Sequence, residues 1–457
     1  HLNLGVAVVH LPSGQSANVR AGQQFPLASV AKLPLLFAAA HALHCPCPCH
    51  STHHPHAPAA APFASCSSGS SNEWPPLRRL SPKSMLQVRE EDKCIGSGLM
   101  RSLPSGMAVA VQQCLWLMNC ISDNTAADLV FKAVGWPCVT GLLQAHGAHS
   151  TSVHLTQRQA FLLALGFSSE LREPYGTPRA RRWQGMSVAQ QRRVAQRVEG
   201  ESRAVSVRDL SAVEEASLLL QHESLLCFHV HLMACPHALP QAQGDKGYRN
   251  DSHIAAAMDN RGSPADMAGL LCKLTTARLL PWPRATALCL HTMAMQVYGQ
   301  RRLPYYLPPA TTVLHKTGSI LGTVNAAGII PLPRPPPALH SYHMRRHLTR
   351  LPLLPAVQAS PRPSSPVTTL FSSPPRSSAH LPGYEHAERG VGEESLQVGE
   401  GGAVVVAAFV DKVWRQHERE AEYVIARASK LAYDTWGERR RLRRMLSARE
   451  RRRWMVG

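Results

Sequence analysis

Three short groups of polar residues stand in largely apolar surroundings: Ser29-Val30-Ala31-Lys32, Ser122-Asp123-Asn124 and Lys316-Thr317-Gly318. If Ser29 opens a helix, Lys32 lies one turn further on the same face and its amine points back at the Ser29 hydroxyl. An amine held in an apolar, cation-rich pocket loses its proton and activates such a hydroxyl as a nucleophile. Ser122 suits a proton relay to a departing nitrogen, which a neighbouring lysine eases. Asn124 offers a donor and an acceptor, to be shared between an amide of a bound substrate and Lys32. Asp123 fits a structural role, anchoring its loop through backbone hydrogen bonds. Lys316 and Thr317 suit a carboxylate. Gly318 lets a ligand come close to a strand backbone, and the N–H groups of Ser29 and Ser319 suit an oxyanion.

Each group taken singly also has a plain structural reading. Ser29 and Lys32 could be a capping serine with a surface lysine, Ser122-Asp123-Asn124 a helix cap, and Lys316-Thr317-Gly318 a turn at a strand end. A serine three residues before a lysine recurs by chance in a chain of 457 residues. The weight lies in the order of the three and in the elements that hold them.

Those elements are legible in outline. LNLGVAVVHL and QSANVRAG read as two strands about a Pro-Ser-Gly turn. FPLASVAKLPLLFAAAHAL reads as a helix buried on most sides and begun through Ser29. A mostly apolar helix ends near Cys120, and SDNTAADLVFKAVG starts another, with Ala126, Leu129, Val130 and Ala133 at helical spacing. In NRGSPADMAGLLCKLTTARLL, Ser263 is an N-cap, Pro264 the first helical residue and Asp266 a first-turn acid. TTVLHKTGSILGTVNAAGIIPL gives two adjacent strands, GGAVVVAAFVDKV a final strand and HEREAEYVIARASKLAYDTW a final helix. Strands at both ends with helices between them predict an α/β sandwich holding an inserted all-helical part.

With these elements in place, the three motifs resemble those of the class A serine β-lactamase-related family, within the β-lactamase and penicillin-binding-protein superfamily. Flanking segments add to the likeness: GSG at 96–98, LMNCISDNTAADLV, and SPADMAGLLCKL before the Lys-Thr-Gly strand. The resemblance covers roughly residues 1–44, 85–166, 250–330 and 402–436. It implies an antiparallel sheet flanked by helices with an inserted all-helical subdomain, as in serine β-lactamases and DD-peptidases. It also implies a serine hydrolase that opens a β-lactam amide through an acyl-enzyme on Ser29, with catalytic Ser29, Lys32 and Ser122. Asn124, Lys316, Thr317, Gly318 and Ser319 would bind substrate and Asp123 would be structural. The alternatives are a penicillin-binding, DD-peptidase-like protein that acylates without efficient turnover, and a non-catalytic descendant acting as a binding module. The partner implied is a small β-lactam or peptide-like molecule, with no metal and no cofactor, and a monomer is the default.

Two departures bear on turnover. Class A hydrolases carry a Glu-x-x-Leu-Asn loop whose glutamate activates the deacylating water. Here the corresponding stretch is VHLTQRQAFLLALG, with Gln157, Arg158 and Gln159 and no carboxylate. Glu170 and Glu173 follow, neither with the expected Leu-Asn. In the next strand, Asn325-Ala326 replaces the Asn-Asp often found in relatives.

The expected organisation is therefore as follows. Residues 1–44 form the first strands and the nucleophile helix, and 45–76 a low-complexity insert. Residues 77–290 form the helical subdomain, with an insertion near 167–250. Residues 291–330 and 402–436 complete the sheet and its C-terminal helix, separated by a low-complexity insert at 331–401, and 437–457 is a basic tail. The inserts read either as surface loops or as unspliced sequence, and the tail either as part of a damaged frame or as an amphipathic basic helix with Leu442, Met445 and Leu446 on one side.

Composition narrows the remaining classes. The net charge of +19 is concentrated in Arg179–Arg197, Arg345–Arg350 and Arg439–Arg453, which read as solvated basic segments, so no nucleic-acid partner is expected. Cys114, Cys120, Cys138, Cys272 and Cys289 lie in apolar helical runs and behave as small hydrophobes. Cys45, Cys47 and Cys49 sit in a Pro/His-rich tract without zinc-knuckle spacing. Apolar stretches such as Leu33–Leu43 fall short of a membrane span. The sequence starts at His1 without a charged-then-apolar leader, so a targeting segment is either removed or not included. The resemblance implies an extracytoplasmic compartment, and the Pro/His/Ser inserts fit a eukaryotic organelle.

Overall fold

The run AVVVAAFV before Asp411 has no polar residue because both faces of its strand are covered. In the computed structural model this strand is the centre of a five-stranded antiparallel sheet. The structure describes residues 2–45, 80–165, 167–168, 171, 179–203, 206, 208, 256–320, 322–333, 402–413 and 417–454, with side chains of the last helix to 437. In chain order the strands are β1 (Asn3–His10), β2 (Ser16–Val19), β3 (Phe25–Pro26), β4 (Met85–Gln87), β5 (Ala108–Ala110), β6 (Arg261–Gly262), β7 (Leu314–Ile320), β8 (Thr323–Pro331) and β9 (Ala403–Asp411). The sheet order is β2-β1-β9-β8-β7, so the first and last strands of the chain pair directly. The register of β7 on β8 sets Gly318 opposite Asn325 and Lys316 opposite Ala327.

The helix Glu418–Trp454 covers one face of the sheet, where Ala421, Ile425, Ala432 and Trp436 meet Val406, Ala408, Val410 and Ile330. On the other side, Pro264–Thr275 packs on β1, β8 and β9, and Pro283–Ala294 packs on β7 and on the helix Lys32–His44. The chain is thus an α/β protein with an antiparallel sheet flanked by helices. A helical part lies between the strands in sequence, its core built on Ile95, Leu155, Leu162, Leu163, Trp183, Val194 and Val198.

That core bears on two expectations. The helices Arg179–Gln184 and Val188–Glu201 fall in the stretch read as an insertion, yet Trp183, Val194, Ala195 and Val198 are buried in the same cluster as Leu162 and Leu163. Nor is the Arg179–Arg197 segment wholly solvated. Arg192 is buried, lies 4.1 Å from the Trp136 ring centroid and donates to the His154 carbonyl at 3.3 Å. A guanidinium can be buried there because an aromatic face and a carbonyl replace its water.

The helix expected to stop near residue 436 runs on through the basic stretch to Trp454, in keeping with the helical reading of that tail. Cys47, Cys49, Glu170, Glu173 and the segments 46–79, 209–255 and 334–401 lie outside the described residues. No single helix among the described residues is long and apolar enough to cross a membrane.

Candidate active site

Ser29 lies in a single 3₁₀ turn, Ala28–Ala31, that leads into the helix Lys32–His44. The turn is held in place from outside. Ala28 has φ +48°, a left-handed conformation rare for a residue with a Cβ, and its N–H donates to the buried carboxylate of Asp259. Burial pushes the Asp259 carboxyl up to about 6, against the backbone N–H groups that favour its charge. The amide of Asn325 in β8 donates to the carbonyls of Pro26 at 2.7 Å and Leu27 at 3.2 Å. Strained backbone fixed by surrounding bonds is characteristic of functional turns.

Lys32 is fully buried, and its Nζ lies 2.6 Å from the Ser122 carbonyl, 2.6 Å from Asn124 Oδ1, 3.0 Å from Ser29 Oγ and 3.2 Å from Ser122 Oγ. Burial lowers its pKa to about 8, partly opposed by Cys94, Asp128, Asp123 and Asp259. A neutral amine has two protons and one lone pair. The two shortest contacts, both to acceptor oxygens, take the two protons. The lone pair is then left for the Ser29 hydroxyl.

Ser122 also has positive φ, +57°, at the turn between the helices Val111–Cys120 and Asn124–Val134. Asp123 sets this turn. Its carboxylate accepts from the N–H of Leu99 at 2.6 Å, Met100 at 2.8 Å and Ala126 at 2.9 Å, so it caps the helix and fastens the 96–100 loop beside it. Gly98, at φ +110°, makes room: a Cβ there would fall 2.3 Å from the Asp123 carboxyl carbon. Asp123→Ala would strand three N–H groups, and a stability loss of about 3 kcal/mol or more is expected in chemical denaturation. A loss below about 1 kcal/mol would remove the anchoring role.

Lys316 comes from β7 and is fully buried, its Nζ donating to Ser122 Oγ at 3.0 Å and to the Thr317 carbonyl at 2.9 Å. Burial holds it well below the usual lysine value, and Lys32 and Arg302 add to the lowering. Ser122 Oγ therefore stands between two amines, one from each side of the cleft. Asn124 is largely occupied: its oxygen faces Lys32 and its nitrogen donates to the Ile95 carbonyl at 2.7 Å. One N–H of that amide is left for a ligand.

Gly318 has a packing use beside the ligand approach expected of it. The space where its Cβ would lie is filled by the chain itself, 2.7 Å from the Leu27 carbonyl, 2.9 Å from Val30 N and 3.1 Å from Ser29 N. The missing side chain lets β7 close on the nucleophile turn, which sets the backbones of Ser29 and Ser319 near one another. Ser319 is exposed and Thr317 is buried beside it.

Three contributors gave no sequence signal, Asp259, Arg302 and Gln296, and the sequence marks Asn325 only as part of Asn325-Ala326. Arg302 donates to the carbonyls of Gly318 at 3.0 Å and Asn325 at 2.7 Å and to Ser319 Oγ at 2.6 Å, while its Nε meets Glu422 at 3.2 Å. Gln296 follows the helix Pro283–Ala294, and its amide meets the Cys120 and Asn119 carbonyls on one side and Lys316 on the other.

The stretch that lacks a glutamate forms the helix Gln157–Ala164. Asp128 holds its start, accepting from the N–H groups of Gln157 at 2.6 Å and Arg158 at 2.8 Å. Arg158 turns into the core toward the Lys93 carbonyl, and Gln159 bonds Thr156 and Glu199. Phe161 of this helix packs against the helical core and lies beside Gly96, where a Cβ would be 3.3 Å from its ring and 2.8 Å from Asn124 Nδ2.

The profile of the beta-lactamase enzyme family matches residues 77–213 and 229–347, together more than half of the chain. No curated protein matches. Among solved structures, PBP-A is 16% identical with a TM-score of 0.48, over 96% of this chain and 91% of that one. A beta-lactamase from Sphaerobacter thermophilus is 16% identical with a TM-score of 0.47, over 94% and 90%. One from Chitinophaga pinensis is 15% identical with a TM-score of 0.49, over 95% and 93%.

Proposed function

The chain belongs to the beta-lactamase enzyme family, and we propose that it acts there as a class A-like serine acyl-transfer hydrolase with a slow deacylation step. The observation that carries this reading is the buried Lys32 amine, whose Nζ lies 3.0 Å from Ser29 Oγ and 2.6 Å from each of two acceptor oxygens.

In the proposed reaction the Ser29 hydroxyl gives its proton to Lys32 Nζ as Oγ bonds to the carbonyl carbon of a β-lactam or a peptide-like amide. The oxyanion lies between the N–H groups of Ser29 and Ser319. The C–N bond then breaks. The nitrogen takes the Ser122 proton, and Ser122 recovers one from the Lys32 ammonium, whose Nζ is 3.2 Å from Ser122 Oγ. Lys316, 3.0 Å from the same oxygen, favours the transient alkoxide. Thr317 and the exposed Ser319 would receive a substrate carboxylate beside the Lys316 amine, and the remaining N–H of Asn124 an amide oxygen.

Deacylation needs a base for water, and the segment where the family carries its glutamate supplies amides, a buried arginine and an aromatic ring. On mixing with benzylpenicillin, intact-mass measurement is therefore expected to show one whole penicillin added, with loss of the adduct about 10²-fold or more slower than its formation. A short-lived adduct with opened β-lactam accumulating would mean that another group replaces the missing glutamate. Absence of any adduct would sink the acylation reading.

A further inference from the structure

The Gln296 amide has only one satisfactory orientation. Two carbonyl oxygens, of Cys120 and Asn119, lie 2.6 and 2.9 Å from one of its terminal atoms, and each requires a donor there. Nitrogen must occupy that position, which turns Oε1 to Lys316 Nζ at 3.1 Å. Lys316 is then held by three oxygens: the Ser122 hydroxyl, the Thr317 carbonyl and the Gln296 amide. The ionisable groups that face it are Lys32 across Ser122, Arg302 before β7 and the Cys120 thiol at the end of Val111–Cys120, and the adjacent His315 of β7 also feels its charge. No carboxylate among the described residues pairs with it.

We propose that Gln296 is a positioning residue for the Ser122 relay, a neutral clamp that aims Lys316 at Ser122 Oγ while leaving the lysine without a protein counter-ion. The clamp joins the Val111–Cys120 helix end to β7, so it fixes the two sides of the cleft whose separation sets the Ser122–Lys316 distance. An acid at this position would aim the lysine equally well but would pair with its charge. An amide leaves that charge for Ser122 and for whatever anion the site receives. The part concerning the relay rests on the acylation reading above; the contact with Lys316 does not.

The test separates the two. Protein labelled with ¹³C at lysine Cε is titrated by NMR without ligand, the Lys316 resonance being assigned by its loss in Lys316→Arg. Gln296→Glu is expected to raise the Lys316 midpoint by about one to three pH units, as a carboxylate at contact distance does. Gln296→Met, which removes the acceptor, is expected to move it the other way. The opposite directions distinguish positioning from mere structural disturbance, and the Met variant keeps the test open if the Glu variant, whose carboxylate faces two carbonyls, does not fold. Penicillin acylation profiles of the same proteins should move their alkaline limb with the Lys316 midpoint, and Gln296→Met should lower the maximum on the order of tenfold or more. Midpoints unchanged in folded variants would overturn the proposal. Shifted midpoints in a protein that penicillin never acylates would uphold the clamp and sink the Ser29 reading instead.

Discussion

A Ser29→Ala protein is expected to gain no penicilloyl mass at any pH, and Lys32→Met to slow acylation by about 10³-fold, within the range of general-base catalysis. Methionine keeps the bulk of lysine in a fully buried position and removes only the amine, so the loss reports the base rather than a cavity. The pH profile gives the sharper test. With the Lys32 pKa lowered to about 8 by burial, the neutral amine becomes scarcer about tenfold per pH unit below that value. Wild-type acylation should therefore rise steeply between pH 6 and 7, flatten above about 8, and lose that slope in Lys32→Met. A fluorescent penicillin followed by stopped flow measures both. Equal rates in wild type and Lys32→Met, or a slope that survives the substitution, would transfer the role of base to another group.

What the sequence made legible follows from how local each cause is. Ser29 and Lys32 are one helical turn apart, so their pairing is written in a four-residue window. Asp123 caps the helix that it precedes, again a local relation. The apolar run of β9 announced a strand, and the structure buries it on both faces. The missed residues act across long separations. Asp259 meets Ala28 from 231 positions away, and Asn325, noted in the sequence only beside Ala326, has its partner Pro26 299 positions away. Nothing in MAMQVYG or QRRLP marks Gln296 or Arg302, since a lone amide or arginine before a strand has no distinctive spacing. The helix Val188–Glu201 was hard to place in the core because Arg and Gln dilute its apolar face, leaving Val194, Ala195 and Val198 to pack with a stacked Arg192.

Gly318, read from the sequence as a place where a ligand approaches, is also where two backbones meet, and it gives the second large effect. Gly318→Ala places a methyl 2.7 Å from the Leu27 carbonyl, 2.9 Å from Val30 N and 3.1 Å from Ser29 N. All three are backbone atoms, and the turn that holds them is pinned by Asp259 and Asn325, so no side chain can swing aside. β7 must move away from the nucleophile turn. It would take Lys316 from Ser122 and Ser319 from Ser29, both relations that the proposed reaction needs within a fraction of an ångström. A misplacement of about 1 Å costs on the order of 10²-fold in rate, so acylation in Gly318→Ala should fall by at least that much. Overpacking of this kind also destabilises by about 1–3 kcal/mol, read as a lower denaturation midpoint. If the glycine served only to admit a ligand, the alanine protein would keep wild-type stability and lose only its affinity for penicillin. Measuring unfolding in the absence of any ligand therefore decides between the two uses of this position.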